Sequence, residues 1–310
     1  MENTKARKML TSRKLDNLQF LILALPAVGL LFIFSYIPMG GIIIAFEKFN
    51  VLKGIWGSPW IGLKNFEFFF KSSDAWRTIR NTLGLNFLFM AAGLLGSISF
   101  AMMCFYIRSR KAVKVYQTVT LIPSFLSMVI VGYLFYSLLK PSGGIVNQVI
   151  ETLGGNPVNW YSEPRYWPII LLIAVLWHGV GQGSLFYFAS LMGIDTDYFE
   201  AASLDGATRW QQFRYIILPF LVPLIVIIQT LNIGKIFRSD FGLFFHVTQD
   251  SGALYATTDV IDTYIYRSLI QIGDIGMSAA VGLFQSAVGF VLILLTNYIV
   301  RRIDPDSALF

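Results

Sequence analysis

Long apolar runs separated by short polar stretches set the pattern of this chain. Six runs reach the roughly 20 mostly apolar residues that a helix needs to cross a bilayer core. They cover 18–46, 81–107, 115–139, 168–192, 212–234 and 278–300. Each is apolar on every side, and the ten-residue alternating segments of a membrane barrel are absent. The pattern predicts an all-α integral membrane protein: a basic N-terminus over 1–17, a six-span domain over 18–300 and a tail over 301–310. The first run follows Lys5, Arg7, Lys8, Arg13 and Lys14, as a secretory signal would. It is too long for a signal core and lacks a convincing small-residue cleavage site, so it reads as a retained anchor, bent at Pro26 and Pro38.

Composition agrees with this division. Of 310 residues, 55% are hydrophobic and 14% charged, against about 25% charged in a typical soluble domain; mean hydropathy is +0.62. One Cys and two His exclude a disulfide framework, a cysteine-rich zinc domain and any rich metal cluster. The net charge of +6 is diluted among apolar sequence and reads as an orientation signal rather than a nucleic-acid surface. Segments 1–17, 108–114, 193–214 and 301–310 hold 13 Lys/Arg in 56 residues, whereas 47–80, 140–167 and 235–277 hold 11 in 105. The positive-inside rule therefore places both termini in the cytoplasm.

The outer segments carry chemistry of their own. Trp56, Trp60, Phe66, Phe68, Phe69, Phe70 and Trp76 crowd residues 47–77 and fit either an aromatic belt at the headgroups or a binding surface. Turn signals stand at Pro141-Ser142-Gly143-Gly144 and Gly154-Gly155-Asn156-Pro157. No P-loop occurs, since Gly234-Lys235 lacks both the upstream Gly and the following hydroxyl, and no hydrolase, zinc-protease or dinucleotide motif is found. Cys104, in an apolar span, reads as a small core residue. His178 is the sole ionisable side chain well inside a span, and its simplest role is a hydrogen bond to a backbone carbonyl. With no carboxylate inside the spans, an ion-coupled carrier is disfavoured and the energy source is expected on another chain. A glycan-acting enzyme lacks an intramembrane catalytic pair, leaving only external Glu163 and Asp240 as single acids.

Between the fourth and fifth spans, Asp195 to Ala207 reads as a short helix of about 12 Å, with Asp197 as N-cap, Glu200 three residues on and Gly206 as its left-handed stop. Thr208 and Gln211 then form a capping box for the next helix. Glu200-Ala201-Ala202, Gly206, Phe213, Ile217, Leu218-Pro219 and Pro223 together resemble the "EAA" loop, here about 195–219, of permease subunits from bacterial ABC importers. The resemblance extends to Tyr36-Ile37-Pro38-Met39-Gly40, Ala45-Phe46, Phe49-Asn50 and Gly57 to Phe66. Asp240 to Phe244, Asp259 to Tyr264 and Gly282 to Ser286 are similar to the LplB-like branch, associated with oligosaccharides and polysaccharide fragments.

That resemblance implies a type I ABC importer permease fold in a bacterial cytoplasmic membrane. The permease forms half of a translocation pathway; an external solute-binding protein delivers the oligosaccharide and a second homologous permease completes the path. Two separate ATPase subunits bind ATP and Mg, so this chain needs no cofactor of its own and is not an enzyme. It also implies an ATPase-coupling set: Glu200, Ala201, Ala202, Asp205, Gly206, Leu218 and Pro219. Glu200 would pair with a basic ATPase residue, Gly206 would let the loop turn, and Leu218 and Pro219 would set where the next helix leaves the socket. A non-sugar cargo is the alternative within the same class.

Sugars are held by aromatic faces and uncharged hydrogen-bonding groups. The candidates inside spans are His178, Gln182 and Tyr187 in the fourth, Gln229 and Asn232 in the fifth, Gln285 in the sixth and Asn86 in the second. Each could instead bond a neighbouring helix. Lys235, Arg238 and Arg267 near the outer face admit an acidic sugar, while Asp240, Asp259, Asp262 and Asp274 stand near enough in sequence to neutralise them.

Overall fold

A computed structural model describes residues 19–305 and 308–309, apart from the side chain of Phe68. The basic N-terminal segment 1–17 lies outside the described residues. Five helices are long and apolar enough to cross a membrane unbroken: α1 (Gln19–Phe46), α3 (Ser73–Tyr106), α7 (Pro164–Leu191), α9 (Arg209–Gly234) and α11 (Ile275–Ile303). The predicted third span is not continuous. It is split into α4 (Arg110–Phe125) and α5 (Met128–Leu139), which meet at 97°. Pro123, with no N–H to donate, marks where α-helix gives way to a tighter 3-10 turn, Ile122–Phe125, which ends as the N–H of Leu126 closes on the Pro123 carbonyl. Leu126 and Ser127 are extended. Shorter helices complete the chain: α2 (Lys64–Lys71), α6 (Ile145–Thr152), α8 (Thr196–Leu204) and α10 (Ile261–Arg267).

Proline is accommodated differently elsewhere. In α1 a π-helical turn, Phe32–Tyr36, precedes Pro38, and the N–H of Ile37 reaches back five residues to the Phe32 carbonyl. In α9 the same turn, Phe213–Ile217, precedes Pro219, with the N–H of Leu218 on the Phe213 carbonyl. Inserting one residue into the ladder just before the proline spares a carbonyl that proline cannot satisfy. Pro26, by contrast, lies within uninterrupted helix. Residues 19–40 of α1 are exposed on nearly every side, as expected of a helix whose neighbours are lipid or another subunit, while 41–46 pack on α11 with Ala45 fully buried.

Close helix crossings organise the bundle. α7 packs along α3 and meets α4 at Gly181, where a Cβ would stand 2.1 Å from the Thr120 carbonyl oxygen. α11 crosses α9 at Gly289, whose Cβ would lie 2.6 Å from the carbonyl of Gly234. Backbones this near leave no room for any side chain. Gly181→Val should therefore lower stability by about 1–3 kcal/mol or more. Gly282→Ala, with open space around it, should be neutral or stabilising by up to about 1 kcal/mol. Melting curves of the purified variants in detergent would check the contrast.

α3 starts earlier than its apolar run and carries Arg77, Arg80 and Asn81 into a polar cap at the end of the bundle opposite α8. There Asp259 is fully buried and paired with both Arg77 (2.6 Å) and Arg267. The Asn81 amide donates to the Asp259 carbonyl at 3.1 Å, and Arg267 also reaches Asp250 at 3.3 Å and lies 4.1 Å over the Tyr255 ring. Burial by itself would lower the pKa of Arg267, but its hydrogen bond to Asp259 and that carboxylate's charge hold it above the ordinary value.

Candidate functional site: a cavity among the long helices and a short loop helix

Two regions gather the residues singled out above. The first is a cavity of about 740 Å3 among α3, α7 and α9, within the size range of small-molecule sites. This chain encloses it only in part. Asn86, Tyr187, Gln229 and Asn232 line it, as do Lys235 and Arg238 at the end of α9 nearer the polar cap. The buried Tyr187 hydroxyl lies against the Gln229 amide. The Asn86 amide donates to the carbonyls of Ile236 (2.8 Å) and Arg238 (3.1 Å), which fixes the loop beyond α9 and leaves its own oxygen available to accept.

His178, Gln182 and Gln285 stand outside this cavity. Nε2 of His178 lies 3.3 Å from the Leu126 carbonyl and donates to it, satisfying a group freed by the break between α4 and α5. Gln182, one turn on, is exposed on the outer surface of α7. The buried Gln285 amide spends its hydrogens on the Phe237 carbonyl (2.8 Å) and on Asp262 (3.2 Å). The cavity is instead hollowed by Gly93, Ser97, Gly179 and Gly183 and faced by Phe89 and Phe186. Gly179 and Gly183 are the sequence neighbours of His178 and Gln182, and about 100° of helix rotation separates the two pairs of faces.

The charges also sort themselves. Arg267 is consumed by Asp259 and Asp250. Asp240 accepts from the N–H of Leu243 and Asp274 from that of Met277. Asp262 accepts from the N–H of Ser239 at 2.7 Å. Burial pushes the Asp262 carboxyl upward, against the opposing pull of that N–H, the Gln285 amide and the charge of Arg238. Among the described residues, neither Lys235 nor Arg238 forms an ion pair. Both are exposed at the cavity wall, ready to receive an anionic group.

The second region is α8. Its N-cap is Asp195, whose carboxylate accepts from the N–H of Asp197 at 3.1 Å, so Asp197 sits in the first turn instead of capping it. At the other end Gly206 has φ +75°. The N–H of Gly206 bonds the Ser203 carbonyl (3.1 Å) and that of Ala207 the Ala202 carbonyl (2.9 Å), the paired bonds of a Schellman stop. Thr208 and Gln211 make the expected capping box.

Gln212 then donates to Ser203 at 3.0 Å, tying α9 back to α8. Phe199 packs on Phe105 at 5.6 Å, and Arg209 lies 5.0 Å over the Tyr106 ring, fastening the loop to the end of α3. Glu200, Ala201, Asp205 and Gly206 face outward, joined by Tyr198 and Leu204, the last 89% exposed; Ala202 is half-buried. Leu204 carries no signal in sequence because its neighbours are equally mixed. Leu218 and Pro219 stand between two and three turns into α9, beside a shallow cavity with Arg214 and Tyr215.

Comparison with known proteins bears on the family of the chain. Residues 93–305 match the family described as binding-protein-dependent transport system inner membrane component. The chain is 31% identical to the polygalacturonan/rhamnogalacturonan transport system permease protein YteP of Bacillus subtilis strain 168, over 97% of this chain and 93% of that one. It is 30% identical to Protein LplB of the same organism, over 98% and 94%. Among solved structures, a chain of a bacterial ABC transporter that imports the acidic polysaccharide alginate superposes with a TM-score of 0.85 at 34% identity, covering 96% of this chain and 99% of that one. The alginate transporter is also known in complex with a periplasmic protein bound to alginate pentasaccharide, and that chain matches with a TM-score of 0.84.

Proposed function

The chain belongs to the family of binding-protein-dependent transport system inner membrane components, as a multi-pass sugar-importer permease of the cytoplasmic membrane, and from that premise we propose that it carries acidic oligosaccharides. The observation that carries the proposal is the pair of cations, Lys235 and Arg238, without an ion pair among the described residues, at one end of a largely apolar cavity whose other polar lining includes the amides of Asn86, Gln229 and Asn232 and the Tyr187 hydroxyl. A uronate unit offers what such a wall recognises: hydroxyls for Asn86, Gln229 and Asn232, a ring face for Phe89 or Phe186, and a carboxylate for a cation. Relatives that handle polygalacturonan and alginate support this cargo.

In this reading both termini are cytoplasmic, and the partly enclosed cavity is one half of a pathway that a second, homologous permease closes. An external solute-binding protein loads it. Two ATPase subunits, which hold the ATP and Mg, grip α8. Closure of the ATPases moves α8, and the contacts of Phe199 with Phe105 and of Gln212 with Ser203 pass that displacement to α3 and α9 as rigid bodies. Those two helices also wall the cavity, so the grip and the pathway move together.

The test is reconstitution with the partner permease, both ATPases and the binding protein in proteoliposomes. ATP-dependent uptake of uronate oligosaccharides is expected, with little uptake of a neutral oligosaccharide of equal length. Uptake of the neutral sugar alone would defeat the acidic assignment, and uptake driven by an ion gradient without ATPases would defeat the transporter mechanism.

A further inference from the structure

Among the described residues, four buried side-chain atoms find no hydrogen-bond partner, and Glu47 Oε2 is the acidic one. Glu47 is only 6% exposed, yet among the described residues its Oε2 has no hydrogen-bond partner and its carboxylate forms no ion pair. A buried carboxylate left alone is costly enough that it calls for a physical account. The local backbone explains how it is held. Glu47 forms an isolated bridge with Trp60, and the Asn65 amide donates to the carbonyls of both Ala45 (3.0 Å) and Glu47 (2.9 Å). Gly276 comes so near that a Cβ would lie 2.8 Å from Asn65 Nδ2 and 3.1 Å from the Glu47 carbonyl.

Glu47 lines a cavity of about 510 Å3 at the end of the bundle opposite α8, together with Lys48, Lys64, Asn65 and Asp274. Its acceptors are in surplus. Asn65 has spent its amide hydrogens and keeps its oxygen, and one Asp274 oxygen caps Met277 while the other has no donor among the described residues. The space is far larger than the roughly 30 Å3 share of a single water, so a lone ion would not fill it. The free acceptors suit an incoming planar group with several N–H donors and no acceptor, with its side-chain stem and water taking up the rest of the space. Lys48 and Lys64 are exposed, so the cavity pairs exposed cations with a buried anion.

We infer that this cavity receives a guanidinium side chain, set between acidic residues, from the external solute-binding protein. The inference rests on the importer reading above, which places this end of the bundle on the outer side. Such a contact would supply Glu47 with a charged partner that it lacks among the described residues.

The experiment uses the complete transporter in nanodiscs and measures ATP hydrolysis against the concentration of sugar-loaded binding protein. Glu47→Gln is expected to raise the half-maximal concentration at least about tenfold, with basal hydrolysis unchanged and the melting temperature unchanged or higher, since an unpaired buried carboxylate is removed. A lower melting temperature with an unchanged half-maximal concentration would make Glu47 merely structural and overturn the proposal. So would a shift of the wild type on omitting phosphatidylethanolamine from the nanodiscs, because the occupant would then be a lipid ammonium. If the binding protein fails to stimulate even the wild type, the importer reading itself falls, whatever Glu47→Gln does.

Discussion

Combining Glu200→Ala with Gly206→Pro is expected to abolish ATP-driven uptake and to release the ATPase subunits on purification, while leaving the membrane-spanning bundle folded. Gly206 holds φ +75°, whereas proline is fixed near −65° and has no N–H. The substitution therefore removes the bond to the Ser203 carbonyl and forbids the turn that brings Ala207 back onto Ala202. The end of α8 would unwind and take Leu204 away from its presented position. Glu200 is exposed and forms no ion pair within the chain among the described residues, so its loss should cost this chain nothing and tell only on the partner. Gly206→Ala offers a graded control: a non-glycine residue in the left-handed region costs about 1–2 kcal/mol, enough to weaken attachment without destroying it. Uptake should fall by at least about tenfold in the double variant, and the ATPases should no longer co-purify; normal uptake with normal attachment would remove α8 from the coupling role.

The membrane class and the α8 motif were legible because each is encoded locally. Twenty apolar residues read as a span whatever surrounds them, and a glycine stop followed by Thr208 and Gln211 is a contiguous signal. What could not be read depends on rotation and on distant partners. His178 and Gly179 are adjacent in sequence, yet one secures the kink at Leu126 and the other opens the cavity; the phase of α7 is set by Gly181 against Thr120. An apolar helix lacks the polar face that would reveal its phase. Only the structure sets Pro123 apart: Pro38 and Pro219 are absorbed by π-helical turns, whereas the turn that contains Pro123 runs into the extended Leu126 and Ser127. The sequence pattern alone does not distinguish these outcomes. Asp195 and Asp197 are equally good caps in composition, and only the backbone shows which carboxylate receives the N–H.

Charge was the hardest part to read, and there the structure changed the argument most. Three cations and five acids within about forty residues cannot be paired from their order. Asp259 lies 182 positions from Arg77, yet it neutralises Arg77 and Arg267 together. Asp240 and Asp274 cap helix starts, and Asp262 is taken by a backbone N–H and Gln285. The acids are thus spent on fold, leaving Lys235 and Arg238 to the cavity.

Replacing both by glutamine is accordingly expected to cut uptake of a uronate oligosaccharide by at least about tenfold, since a hydrogen bond to a charged group contributes about 1.5–3 kcal/mol. Both residues lie outside the hydrophobic clusters and are exposed, so stability should change little. The binding protein also selects cargo, so transport must be measured with it saturated and preloaded. Under that condition it should still stimulate ATP hydrolysis, and the number of ATP molecules consumed per sugar imported should rise, because closure proceeds while the cargo is poorly held. Methyl-esterified cargo, which keeps the rings and hydroxyls but loses the charge, should be carried equally by the wild type and the double variant if the binding protein accepts it. Asn232→Ala should impair both forms alike, since an amide contacts hydroxyls present in each. Unchanged uptake of the acidic sugar in the double variant would show that Lys235 and Arg238 do not read the cargo, and selectivity would then lie wholly with the external protein.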